Sequence, residues 1–300
     1  SIELLLSSET RLKTYIKKEL RVILEEFGDK RRCQIISDVS SAQAFNDQDM
    51  IPAENVTVVL SEKGWVKAAK GHEIDSSSLN YKSGDTFLKD ARGRSNQMAF
   101  FIDSTGRSYS ILANSLPSAR GQGEPLTGKL APPLGAEFID VVMGQDEQNL
   151  IVSSDAGYGF LSTLGNLKSK TKSGKHIITL STYAKAMKLK MVQELESDFV
   201  AVVTNRGRLL IFPVSELPRL SKGKGNKLIK IANASSTEQK EVISDLCVLN
   251  DAQKLRVYFG SQKLVYKPED WIHFVSHRAR KGKDLRPSYV TNVDYMEAVG

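Results

Sequence analysis

The sequence predicts an all-β fold of five repeated units, propeller-like, with a short N-terminal helical segment. Three observations predict it. A pair of short β-rich runs joined by a turn ending in glycine recurs along the chain. A glycine-containing basic loop recurs further on in each unit. The hairpin glycines Gly64, Gly106, Gly157 and Gly207 are 42, 51 and 50 residues apart, the period expected when each unit supplies about four short strands to a blade.

The first segment reads as a helix. Ser7 or Ser8 is placed to cap it, and Leu12, Ile16, Leu20, Ile23, Leu24 and Phe27 follow at three- and four-residue steps on one face. Gly28 fits the left-handed position that ends a helix. Such a stripe needs a partner surface. Residues 1–36 are assigned to this segment, and the polar, acidic stretch 37–54 reads as a linker. The repeats occupy 55–295. Their hairpins are expected at 56–60 with 65–68, 98–102 with 107–112, 150–153 with 158–161, 199–203 with 208–212, and, in a weaker copy, 254–259 with 263–266. The turn glycine supplies the positive φ that a tight hairpin requires.

A hydrophobic anchor follows each hairpin: Ile74, Leu116, Leu167, Leu217 and Trp271. Then comes the basic loop. The five loops are Tyr81-Lys82-Ser83-Gly84, Arg120-Gly121-Gln122-Gly123, Lys172-Ser173-Gly174-Lys175, Lys222-Gly223-Lys224-Gly225 and Arg280-Lys281-Gly282-Lys283. Short apolar strands are expected after two of them, at 177–180 and 228–231.

The 300 residues suffice for a large core or two modest ones, and 40% hydrophobic with 26% charged residues is ordinary for a globular protein. No apolar run approaches the roughly 20 residues of a membrane helix. Residues 1–6 are too short and too acidic for a signal peptide, so a cytoplasmic protein with no membrane partner is expected. The widely spaced Cys33 and Cys247 are expected to be free thiols. A net charge of +7 favours polyanionic partners, chiefly nucleic acid.

Several stretches resemble the A subunits of bacterial type IIA topoisomerases. They are Ser104-Thr105-Gly106-Arg107-Ser108-Tyr109, the run from Leu116 through Arg120-Gly121-Gln122-Gly123-Glu124-Pro125 to Leu130, Ser154-Asp155-Ala156-Gly157-Tyr158-Gly159-Phe160, and Ser221-Lys222-Gly223-Lys224-Gly225-Asn226-Lys227. At the start, Leu6-Ser7-Ser8, Glu19-Leu20 and Phe27-Gly28-Asp29-Lys30-Arg31-Arg32 resemble the helix leaving the breakage-reunion core of these subunits. The likeness covers essentially the whole chain and points to the C-terminal DNA-binding domain of the topoisomerase IV A subunit. It implies a five-bladed β-pinwheel whose blades exchange strands and whose basic rim bends DNA. Gyrase A subunits carry a Gln-Arg-Arg-Gly-Gly-Lys-Gly box in the first blade. The matching place here is Asn80-Tyr81-Lys82-Ser83-Gly84-Asp85-Thr86, which lacks the arginine pair. That departure argues against gyrase-like wrapping.

The function expected is therefore binding and bending of the transported duplex for ATP-dependent strand passage in decatenation, relaxation and chromosome segregation. The alternatives are a gyrase A-subunit wrapping domain or a WD40-like protein-interaction propeller, whose Gly-His and Trp-Asp pairs do not appear in register. The resemblance implies that the B subunit, with a second A subunit, is met through a core outside this segment, where the enzyme also uses ATP and Mg2+. The segment itself is expected to be monomeric and nucleoid-associated, with no catalytic residue, metal or cofactor.

The cations expected to meet phosphate are Lys82, Arg107, Arg120, Lys129, Lys168, Lys170, Lys172, Lys175, Arg206, Arg208, Lys222, Lys224, Lys227, Arg280, Lys281 and Lys283. A lone charge run is usually a solvated face; equivalent positions in successive repeats favour a shared ligand. Glycines beside the cations would let the backbone approach phosphate. No helix-turn-helix or zinc-finger spacing is present, so no base-specific readout is expected. Lys222-Gly223-Lys224-Gly225-Asn226-Lys227 lacks the P-loop spacing. His273 and His277 lack further ligands for zinc. Tyr81, Tyr109, Tyr158, Tyr183, Tyr258 and Tyr266 read as partly buried strand aromatics, and Trp65 and Trp271 as core or anchor residues.

Overall fold

The structure is a computed structural model, and it describes residues 2–29, 53–231, 241–285 and 293–300. The chain divides into two units, Ser1–Phe45 and Asn46–Gly300. Cys33 and most of the expected linker, 37–52, lie outside the described residues.

The first unit contains helices α1 (Ile2–Leu6) and α2 (Glu9–Phe27). No residue of α2 is buried, and Ile16, Leu20, Ile23, Leu24 and Phe27 are all exposed. Two details of the sequence reading change. Ser8 takes the N-cap position without a side-chain bond, and Gly28 has φ −68° rather than a left-handed conformation, its N–H donating to the Leu24 carbonyl.

The second unit is all-β, with five sheets among the described residues. In the first, the hairpin β1 (Asn55–Ser61) and β2 (Trp65–Lys70) is flanked by β3 (Phe87–Arg94) on β1 and by β6 (Glu124–Pro125) on β2. The second is built on β4 (Met98–Asp103) and β5 (Arg107–Leu112), flanked by β7 (Phe138–Val142) and β10 (Lys175–His176). The third uses β8 (Asn149–Ser154) and β9 (Tyr158–Thr163), with β11 (Lys190–Met191) and β14 (Asn226–Lys227). The fourth uses β12 (Phe199–Thr204) and β13 (Arg208–Pro213), with β15 (Ile243–Leu249) and β18 (Lys283–Asp284). The fifth has three strands, β16 (Lys254–Phe259), β17 (Gln262–Tyr266) and β19 (Tyr295–Val299).

The sequence explains the hairpins. Each of the first four tips is closed by a bond from the turn glycine back to the last residue of the leading strand, as in Gly106 N to the Asp103 carbonyl at 3.0 Å. Gly64, Gly106, Gly157 and Gly207 have φ between 71° and 87°. A short polar side chain braces three of these tips: Ser61, Asp103 and Thr204 each accept from the N–H four residues on. Asp103 also accepts the Tyr109 hydroxyl at 2.8 Å.

Strands buried on both faces read as continuous apolar runs. Along β4, Ala99 and Phe101 face one core layer and Phe100 and Ile102 face the next, as the two-residue period requires. Two further layers follow, one around Val200, Val202 and Phe212 and one around Ala201, Ile211 and Trp271. Full burial of each such large side chain stabilises the fold by about 1.5–3 kcal/mol. The expected strands at 177–180 and 228–231 are not formed. Ile177, Ile178, Leu228 and Ile229 are buried, but as core contacts of an irregular segment following β10 and β14.

Candidate nucleic-acid interface

The short strands β6, β10, β14 and β18 organise the candidate interface. Each follows the hairpin of one sheet yet pairs with the hairpin of the sheet before it. The chain leaves the hairpin, makes a short turn, seats an anchor, and crosses back. Leu116, Leu167, Leu217 and Trp271 are buried as anchors should be; Ile74 is only half-buried.

The basic loops are the crossings themselves. Gly123, Gly174, Gly225 and Gly282 stand at φ 90°, 74°, 73° and 77°. A Cβ on Gly225 would lie 2.3 Å from the Gly159 carbonyl oxygen, and one on Gly123 would lie 2.5 Å from that of Val66. These glycines let the crossing lie flat on the neighbouring strand. They pack between neighbouring sheets, a role the sequence reading did not give them.

The first loop folds back onto its own hairpin, β1 and β2. Asp85 accepts from Ser61 Oγ and from the Lys63 N–H at 3.0 Å. Lys67 occupies the place that Tyr109, Phe160 and Leu210 fill in later hairpins. It is buried, donates to the Asn80 carbonyl, and lies 3.9 Å from the Tyr81 ring centre.

The expected cations separate into three groups. Lys82, Arg120, Lys168, Lys170, Lys172, Arg206, Lys222, Lys224, Lys227, Arg280, Lys281 and Lys283 are exposed. Among them Lys168 pairs with Asp146, and Lys283 donates to the His273 carbonyl. Arg107, Lys129 and Lys175 are half-buried and tie loops together: Arg107 donates to the Ser173 carbonyl at 3.0 Å, Lys129 to that of Ser115 at 3.2 Å and Lys175 to that of Asn166 at 2.6 Å. Arg208 corrects the sequence reading. It is buried, forms a two-pronged ion pair with the buried Glu241, and donates to the Lys281 carbonyl. A guanidinium held in this way cannot face a phosphate.

The residue that opens the second hairpin strand alternates in kind. Trp65 and Tyr158 carry Lys82 and Lys224 over their rings, at 4.7 and 4.3 Å. Arg107 and Arg208 donate instead to the carbonyl before the crossing glycine. Both arrangements fix the loop that bears the exposed lysines, and a cation over an aromatic face is favourable by about 0.5–1 kcal/mol at exposed sites.

Arg219, Lys185 and Lys230 are exposed cations that the sequence reading missed. Arg219 bridges in parallel to Leu161, as Ser118 does to Ala68, so aligning Pro218-Arg219 with Pro117-Ser118 would have found it. The tyrosines divide. Tyr109 is buried, and burial together with its bond to Asp103 holds its hydroxyl well above the usual range. Tyr183, expected to be partly buried, is instead 83% exposed. His277 lies 2.9 Å from Glu216. Cys247 is buried, which pushes its thiol up to about 12. No helix among the described residues is long and apolar enough to cross a membrane.

The family described as DNA gyrase C-terminal domain, beta-propeller, matches residues 148–190 and 198–234. The A subunit of DNA topoisomerase 4 from Haemophilus influenzae is 46% identical over 296 residues, which are 99% of this chain and 39% of that protein. Its counterpart in Pseudomonas aeruginosa is 46% identical over 284 residues, 95% of this chain and 38% of that protein. The chain thus spans about two fifths of the length of these relatives. The solved structure of the E. coli ParC C-terminal domain superposes with a TM-score of 0.74 at 45% identity, covering 82% of this chain and 99% of that one.

Proposed function

The chain belongs to the family of C-terminal domains of the DNA topoisomerase IV A subunit, and from that premise we propose that it binds and bends duplex DNA through its crossing loops. The observation that carries this reading is positional. Exposed lysines and arginines recur on the loops that cross from one sheet to the one before, and packing glycines and buried anchors fix those loops. Rigid cationic loops in a row suit a phosphate backbone and carry no base code. Bending a 20–30 base-pair segment by 40–90° costs roughly 1–6 kcal/mol, which several phosphate contacts can offset.

In the intact enzyme the bound duplex would be the one transported through a double-strand break. The B subunit, with a second A subunit, would act through other parts of the enzyme, where ATP and Mg2+ would be used. The protein would work in the cytoplasm, on the nucleoid. Wrapping of the gyrase kind is disfavoured because the first loop carries no arginine pair and turns Asp85 inward onto Ser61.

Binding of the full chain to linear duplex DNA across a salt series tests this, with relaxed plasmid and a nicking-closing enzyme run in parallel. Steeply salt-dependent binding with little trapped superhelicity is expected. Strong trapped positive wrapping would move the assignment to gyrase-like action, and absence of binding at low salt would end the DNA reading.

A further inference from the structure

Two large apolar side chains stand out of the second unit far beyond any packing need. Leu134 is 106% exposed and Tyr183 is 83% exposed, whereas Leu220, Val265, Ile272 and Tyr295 in the same unit range from 37% to 49%. The tight turns that carry them lie at the same place in successive repeats, Leu134 at the first central position of its turn and Tyr183 at the second. Ala136 N donates to the Pro133 carbonyl at 3.0 Å across Leu134 and Gly135, with Gly135 at φ 77°. Ala184 N donates to the Ser181 carbonyl at 3.0 Å across Thr182 and Tyr183. Tyr183 itself has φ 63°, a left-handed conformation that a bulky side chain rarely adopts. Such strain in a residue without packing is a pointer to use.

The surroundings identify the use. Each turn is held between a basic crossing loop and a hairpin tip. Ala131, three residues before Leu134, donates to the Lys172 carbonyl at 2.8 Å, and Glu137 accepts from Ser104 N at 2.8 Å. Thr179, four residues before Tyr183, donates to the carbonyl of Gly223, next to Lys222 and Lys224, at 3.0 Å; Lys185 accepts from Asp155 N at 3.0 Å. The exposed Lys185 and Lys188 lie two and five residues after Tyr183. An apolar side chain on a hydrogen-bonded turn, beside exposed cations, suits the wedge that DNA-bending proteins insert between base steps.

We infer that Leu134 and Tyr183 are wedges that enter the DNA groove between basic loops and open base steps where the duplex bends. This rests on the DNA-binding reading above and adds to it the means by which the bend is fixed. Leu134 would enter by its branched end, and Tyr183 would stack its ring on an unstacked base, a contact that tolerates any base.

The test uses the full chain with a duplex labelled at both ends for energy transfer and carrying 2-aminopurine at successive steps. Its variants are Leu134→Ala, Tyr183→Gly and the double change. Tyr183→Gly suits the left-handed backbone and Leu134 makes no core contact, so the variants should unfold at or above the wild-type temperature. The wild type should shorten the end-to-end distance and raise 2-aminopurine fluorescence at discrete steps. The double variant should keep the same salt dependence of binding and lose the fluorescence rise and most of the bend. A double variant that bends the duplex and unstacks bases like the wild type would overturn the wedges and leave the DNA reading standing. Failure of the wild type to bind at low salt would overturn both.

Discussion

Arg208 and Lys222 are both cations in strand-and-loop segments rich in glycine, yet their surroundings give them opposite work. Lys222 is exposed on a crossing loop, whereas Arg208 points inward to Glu241, with side chains 7% and 1% exposed. The difference was not legible at the level of residue type, because the partner Glu241 lies 33 positions away and only the pairing of β15 with β12 brings its segment near. Removing one member of a buried pair leaves the other uncompensated, at a cost of about 3–5 kcal/mol. Arg208→Ala should therefore lower unfolding free energy by that amount in urea while leaving the salt slope of DNA binding unchanged under folding conditions. A loss below about 1 kcal/mol, in the range of an exposed pair, would show that Arg208 is not held as described. Tyr183 errs in the other direction. It was read with the other tyrosines as a partly buried strand aromatic, and nothing in the sequence marks a tyrosine at positive φ, a position usually left to glycine.

At the scale of elements, the hairpins were legible and the crossings were not. The five hairpins carry β-rich runs of four to six residues with a glycine turn, and their strands form where the sequence places them. The crossing strands β6, β10, β14 and β18 are two residues each, too short for any period to register. What the sequence does carry is their glycine, whose packing against the neighbouring strand it does not reveal. The distinction can be measured. Gly225→Ala meets both a left-handed backbone and the Gly159 carbonyl at 2.3 Å, whereas Gly71→Ala meets a left-handed backbone, φ 87°, with open space around it. Gly71→Ala should cost about 1–2 kcal/mol, the intrinsic penalty of the left-handed conformation. Gly225→Ala should cost clearly more and should loosen β14 from β9, seen as faster amide exchange at Asn226. Equal losses of thermal stability in the two variants would remove the packing role. The buried apolar residues after two crossings, Ile177 with Ile178 and Leu228 with Ile229, were read as strands because burial and strand formation leave the same hydrophobic signature in a short run.

At the scale of the whole molecule, the crossings make one design out of five hairpins. Each sheet from the first to the fourth borrows a strand from the unit after it, so the loop that carries exposed cations is also the loop that joins neighbours. Placement of charge and stability of the repeat are therefore set by the same loops. A net charge of +7 spread at random would give weak, diffuse attraction; exposed cations fixed on successive crossings would meet several phosphates at once. The most direct measurement of this claim compares log affinity against log salt for linear duplex DNA, between the wild type and a variant with Lys222→Glu, Lys224→Glu and Lys227→Glu together. These three exposed residues lie on one crossing, and no described ion pair uses them. If the crossing loops bind phosphate, the slope falls in magnitude by roughly 0.9 for each phosphate no longer neutralised, about two to three in all, in a variant that stays folded and melts no more than about 4 °C below the wild type, the loss expected when Lys224 leaves the Tyr158 ring. A folded variant with the slope and affinity of the wild type would show that DNA, if bound, is held elsewhere on the molecule.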